Sequence, residues 1–64
     1  MRLMQRGDEI SIYRDDDYRT HGIFVRETEL YVVVKGTVGD DIGREILVSR
    51  PRIVQIVVVK KAPR

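Results

Sequence analysis

The 64-residue chain has no cysteine, no tryptophan, no asparagine and one histidine, and each shortage removes a class of explanation. Without cysteine there is no disulfide and no redox motif, and one histidine leaves the ligand set of a structural zinc site incomplete. Long apolar runs are missing too. The longest aliphatic run, Ile56 to Val59, is far below the ~20 residues of a membrane span, and the charged opening MRLMQRGDEI does not resemble a signal peptide. A cytoplasmic protein, neither exported nor membrane-bound, is the expectation.

Chemistry-bearing patterns are equally scarce. His21 has no serine or cysteine close to it in sequence and reads as a surface or packing residue. Asp15-Asp16-Asp17 lacks the alternating spacing, the glycine and the distant glutamate of a calcium loop. The glycine-rich GTVGDDIG lacks the Lys-Ser/Thr of a phosphate-binding loop. No catalytic residue, metal ligand, cofactor or small-molecule substrate is therefore expected.

Strand-forming residues are abundant. Ten valines and seven isoleucines stand against one alanine, three leucines and two methionines, and β-branched side chains fit a pleated sheet better than a helix. Turn signals cut the chain into five runs, 8–14, 18–26, 30–35, 44–49 and 53–60, separated by Asp15-Asp16-Asp17, Glu27-Thr28-Glu29, GTVGDDIG and Arg50-Pro51-Arg52. Gly22 inside the second run suggests a bend or bulge. The expected fold is one all-β domain over 1–64, a five-stranded, strongly bent antiparallel small barrel of SH3-like or Sm-like type that closes to hide its edges. Residues 1–7 form an N-terminal arm, with at most a helical turn over 2–6, and 61–64 a flexible tail.

Between Glu9 and Val58, EISIYRDDDYRTHGIFVRETELYVVVKG followed by ILVSRPRIVQIVV resembles the bipartite motif of the Sm, LSm and Hfq proteins. Gly22 and Phe24 stand where that family has a Gly-x-apolar pair, LYVVVK where it has its third strand, and SRPR where it has a tight basic turn. The resemblance implies an oligomeric RNA-binding barrel whose fourth strand pairs with the fifth of a neighbour. Two departures concern the RNA site: the loop RETEL lacks the family's Asp and Asn, and Ser49-Arg50 replaces its Arg-Gly.

The net charge of +2 hides an uneven distribution. Residues 1–43 carry six basic and nine acidic side chains, whereas residues 44–64 carry six basic and one acidic. Arg44, Arg50, Arg52, Lys60 and Lys61 are therefore candidate contacts to an RNA or DNA backbone, with Tyr31 as a stacking surface. The competing explanation is that these charges solubilise a valine-rich sheet and blunt its edges. The third and fifth runs are apolar on both faces, which a solitary barrel does not need. A homo-oligomer joined along 44–49 and 53–60 is expected, with protein assembly alone as the alternative function.

Overall fold

The computed structural model describes residues 4–63. Five strands follow in order: β1 (Glu9–Arg14), β2 (Arg19–Glu27), β3 (Tyr31–Gly36), β4 (Glu45–Ser49) and β5 (Ile53–Lys60). Two 3-10 turns, Gly39–Asp41 and Arg50–Arg52, lie before and after β4. All neighbours are antiparallel, in the order β4-β3-β2-β1-β5. The fold is thus all-β, with strand limits within one residue of those expected.

Closure is where the expectation fails. With four antiparallel steps from one edge to the other, β4 and β5 run in the same direction. Joining them directly would make a parallel pair, which needs a crossover of about a dozen residues, and only Arg50–Arg52 connects them. The sheet therefore stays open between β4 and β5.

The turns explain the register. After β1 the chain reverses tightly, with the Arg14 N–H donating to Tyr18 O at 3.0 Å and the Tyr18 N–H to Asp16 Oδ1 at 3.2 Å. Asp17 takes a left-handed φ of 67°, which aspartate tolerates better than most residues. This hairpin sets Ile10 opposite Gly22 and Ser11 opposite His21. Between β2 and β3, Thr28 Oγ1 accepts from the N–H groups of Leu30 and Tyr31.

Alternation sends one set of side chains inward. Ile10, Ile12, Phe24, Val32, Val34 and Val48 are buried together, with Met4, Ile46, Ile53, Ile56 and Val58 packed partly against them. Each fully buried aliphatic or aromatic side chain contributes about 1.5–3 kcal/mol of transfer free energy. Gly22 belongs to this layer, and its expected bulge is displaced: the register is continuous through Gly22 and shifts between Phe24 and Arg26. Glycine is required at 22 by close approach, since a Cβ would lie 2.7 Å from Lys35 O. Gly36, opposite it, likewise has no room for a Cβ, because the Asp41 carbonyl occupies that space.

The outer face of β3 is covered from within. Val33 is only 1% exposed although it lies outside the core cluster. It shares a cross-strand row with Arg26 on β2 and Leu47 on β4. Arg26 Nη1 reaches Glu45 Oε1 on β4 at 3.3 Å, bridging β3 above it. On the second face of β3, Val33 is thus buried within the chain while Tyr31 and Lys35 stay exposed. On β5, by contrast, Val54, Val57 and Val59 remain 70%, 38% and 54% exposed.

The tail expected to be flexible is tied down at Lys61 and Ala62. The buried Asp8 accepts from the Ala62 N–H at 2.7 Å (Oδ1), the Gln5 N–H at 2.9 Å (Oδ2) and Lys61 Nζ at 3.5 Å. One carboxylate thereby joins the start of the sheet to its last strand. The N-terminal helical turn expected over 2–6 falls partly outside the described residues; Gln5 and Asp8 close a simple turn, Asp8 N–H to Gln5 O at 2.9 Å.

Candidate nucleic-acid interface

The six candidate residues divide between the two ends of the sheet. At one end, Arg50 and Arg52 flank Pro51 in the turn between β4 and β5, and Tyr31 is close by, opposite Ser49. The Arg50 N–H donates to Leu30 O at 2.9 Å, which fixes this turn against the start of β3. At the other end, the registers align Lys60, Glu9, Ile23, Lys35 and Glu45 in one row across all five strands. Arg44 precedes Glu45, and Lys61 follows Lys60. The structure therefore does not gather the candidates into one patch.

Electrostatics separates the two groups further. Arg50 Nη1 donates to Glu27 Oε2 at 2.9 Å and to the Thr28 carbonyl at 3.4 Å. Arg52 reaches Asp15 Oδ1 from Nε at 3.2 Å and Asp16 Oδ2 from Nη2 at 3.3 Å. Asp16 Oδ2 also accepts from Arg14 Nη2 at 2.7 Å. The Asp15-Asp16-Asp17 turn thus serves as the counter-charge of the basic turn. These pairs are partly exposed and each is worth about 0–1 kcal/mol, yet a phosphate at Arg50 or Arg52 would have to displace a carboxylate.

Arg44, Lys60 and Lys35 differ. All three are exposed and hold no carboxylate among the described residues. Lys35, which sequence reasoning missed, lies on the outer face midway along the row containing Lys60 and Glu45. Its signal was available: Lys35 ends the third run with its side chain on the face of Tyr31 and Val33. Lys61 is engaged with Asp8. The hydrogen bonds from Ala62 and Gln5, helped by the Lys61 charge, hold the Asp8 carboxyl below its ordinary value, with burial opposing them.

A second polar cluster was hidden by reading neighbours only along the chain. Ser11 Oγ lies 2.9 Å from His21 Nδ1, and His21 Nε2 lies 2.8 Å from Glu9 Oε2. With Glu9 ionised, Nε2–H donates to the carboxylate, and Nδ1 of a neutral ring accepts from the Ser11 hydroxyl. No serine is close to His21 along the sequence, but the hairpin sets Ser11 directly opposite it in space. Ser11 is buried beneath this chain of bonds, so its hydroxyl is not offered to solvent. The arrangement clamps β1 to β2 on the outer face.

Compared with known proteins, the chain matches no family model, no curated protein and no solved structure. Among the described residues, no helix is long and apolar enough to cross a membrane.

Proposed function

We propose that this chain is a non-catalytic, Sm-like module of the cytoplasm that assembles with copies of itself along β4 and β5 and holds the phosphate backbone of nucleic acid, RNA foremost. The observation that carries the proposal is the open sheet. Its two edge strands leave a row of backbone donors and acceptors unpaired, and both carry exposed apolar side chains, Leu47 on β4 and Val54, Val57 and Val59 on β5. Natural sheets normally shield such edges. Here no strand of the chain pairs with either edge among the described residues, and pairing with another copy satisfies both at once.

Phosphate contact is supported by the basic C-terminal third and by the exposed Arg44, Lys60 and Lys35, which hold no carboxylate of their own chain among the described residues. Arg50 and Arg52 become secondary contacts for the opposite reason. Those neutralised arginines favour the competing function, an adaptor that serves protein assembly alone. Fluorescence anisotropy with a single-stranded RNA, repeated over a range of salt, separates the two. Binding should weaken with salt, and Arg44→Ala with Lys60→Ala should flatten the log–log slope by about 1.4 units, or two single-strand contacts. Arg50→Ala with Arg52→Ala should change it less. No binding of RNA or DNA at low salt decides for the adaptor.

A further inference from the structure

Backbone hydrogen bonds fix which residues of each edge strand face outward, and they do so differently on β4 and β5. Along an antiparallel ladder, residues alternate between pairs that exchange backbone hydrogen bonds and pairs that do not. The Arg50 N–H donates to Leu30 O, and the Gly36 N–H donates to Arg44 O. Even-numbered residues of β4 therefore bond to β3, and the free edge presents the backbone of Glu45, Leu47 and Ser49. These three share the outer face with Tyr31, Val33 and Lys35, their partners on β3.

On the other side of the sheet, the Phe24 N–H donates to Asp8 O and the Arg14 N–H to Tyr18 O. Even-numbered residues at the start and end of β1 thus bond to β2, which turns Ser11 and Tyr13 toward Val57 and Gln55 on β5. The free edge of β5 then presents the backbone of Ile56 and Val58, whose side chains point to the core. In an antiparallel pair, residues directly opposite share both hydrogen-bonding class and face. An antiparallel joint between copies must therefore set outer-face residues of β4 against core-face residues of β5.

Leu47 is 54% exposed on its own protomer. Along β5, beside Ile56 and Val58, runs a groove of about 580 Å³ lined also by Met4, Ile53, Val54, Gln55 and Lys61. We infer that Leu47 of a second copy seats in this groove, opposite Val58, in an antiparallel joint. The inference rests on the proposed self-assembly and adds its register. That register brings Glu45 to the end of β5 where Lys60 and Lys61 lie; a shift of two residues would set its carboxylate against Val58. A parallel joint would put Leu47 beside Val57 on the outer face and leave the groove empty.

The absence of cysteine makes the register directly testable. Two double variants, Leu47→Cys with Val58→Cys and Leu47→Cys with Val57→Cys, are oxidised mildly and run on non-reducing gels, beside sedimentation of the unmodified chain at micromolar concentration. Residues opposite each other across a ladder are about 5.5 Å apart at Cα, which suits a disulfide. Oligomers in sedimentation, with intermolecular ladders from the 47/58 variant and few from 47/57, are the expected result. Ladders from 47/57 instead overturn the register and leave self-assembly standing. A 7.5 kDa monomer in sedimentation overturns both. Leu47→Lys, at a site exposed in the single copy, should convert oligomer to monomer without loss of the far-ultraviolet strand spectrum; an unchanged oligomer also overturns the inference.

Discussion

Strands β3 and β5 are built from nearly the same residues, YVVVKG and IVQIVVVK, and end in opposite circumstances. β3 lies between β2 and β4, so Val32 and Val34 enter the core while Val33 is closed over by the Arg26–Glu45 bridge. β5 has a neighbour on one side only, and none of its eight residues is fully buried. Its register against β1 also shifts twice, where Val54 and Val59 are left out of the pairing. A valine run therefore does not state whether its second face is covered by its own sheet or awaits a partner. Position in the strand order decides that, and for β5 it leaves Val54, Val57 and Val59 exposed.

The largest effect expected from this contrast is on stability. Val34→Ala removes two methyl groups from a site with no solvent exposure and should cost about 2 kcal/mol, counting transfer and residual cavity. Val59→Ala, the same chemistry on β5, should stay within about 0.5 kcal/mol in dilute solution. Urea unfolding of both variants, with equal m-values, checks the pair. Equal losses would mean that β5 is as deeply packed as β3 and would break the comparison.

A second measurement concerns what holds the exposed strand down. One edge of β5 rests on β1, and just past its end the Asp8 carboxylate captures the Ala62 N–H and Lys61. Because these bonds depress the Asp8 pKa, its contribution is complete above the unfolded carboxylate value of about 3.9 and is lost as pH falls through the lower folded value. Asp8→Asn should lower stability at neutral pH and flatten the acid limb of the stability curve. Hydrogen exchange should rise first at the end of β5 and at Ala62, leaving β3 protected. Uniform exchange across both strands would show that the carboxylate supports the whole sheet rather than its edge.

The strand ranges were readable in the sequence because they depend on local rules: β-branched composition, Asp and Gly turns, and Pro51 ending a strand. What escaped depends on strand order, which local rules do not supply. Arg50 and Arg52 read as free cations because Glu27, Asp15 and Asp16 lie more than twenty residues away along the chain. Ser11 and His21 were separated by ten residues until a three-aspartate turn placed them face to face. Gly22 announced an unusual site, yet its cause, the Lys35 carbonyl, sits on the neighbouring strand. The charge asymmetry pointed to the C-terminal third, and the structure shifts attention within it from the turn toward Arg44 and Lys60, adding Lys35.

The smallest expected effect sharpens the comparison most, because it tests whether the cover on β3 is an ion pair or merely carbon. Arg26 and Glu45 are about half exposed, so their attraction is screened and contributes about 0–1 kcal/mol. The arginine stem, however, also shields Val33, since long charged side chains lay their methylene groups over apolar surface. Arg26→Met keeps most of that cover and removes the charge, whereas Arg26→Ala removes both. If shielding dominates, Arg26→Met should be nearly neutral, Arg26→Ala should cost up to about 1 kcal/mol, and neither loss should depend on salt. Equal losses that fade at high salt would assign the cover to charge. In that case the two valine strands would differ by one surface ion pair, and the exposed face of β5 could be silenced by installing the same pair beside Val57.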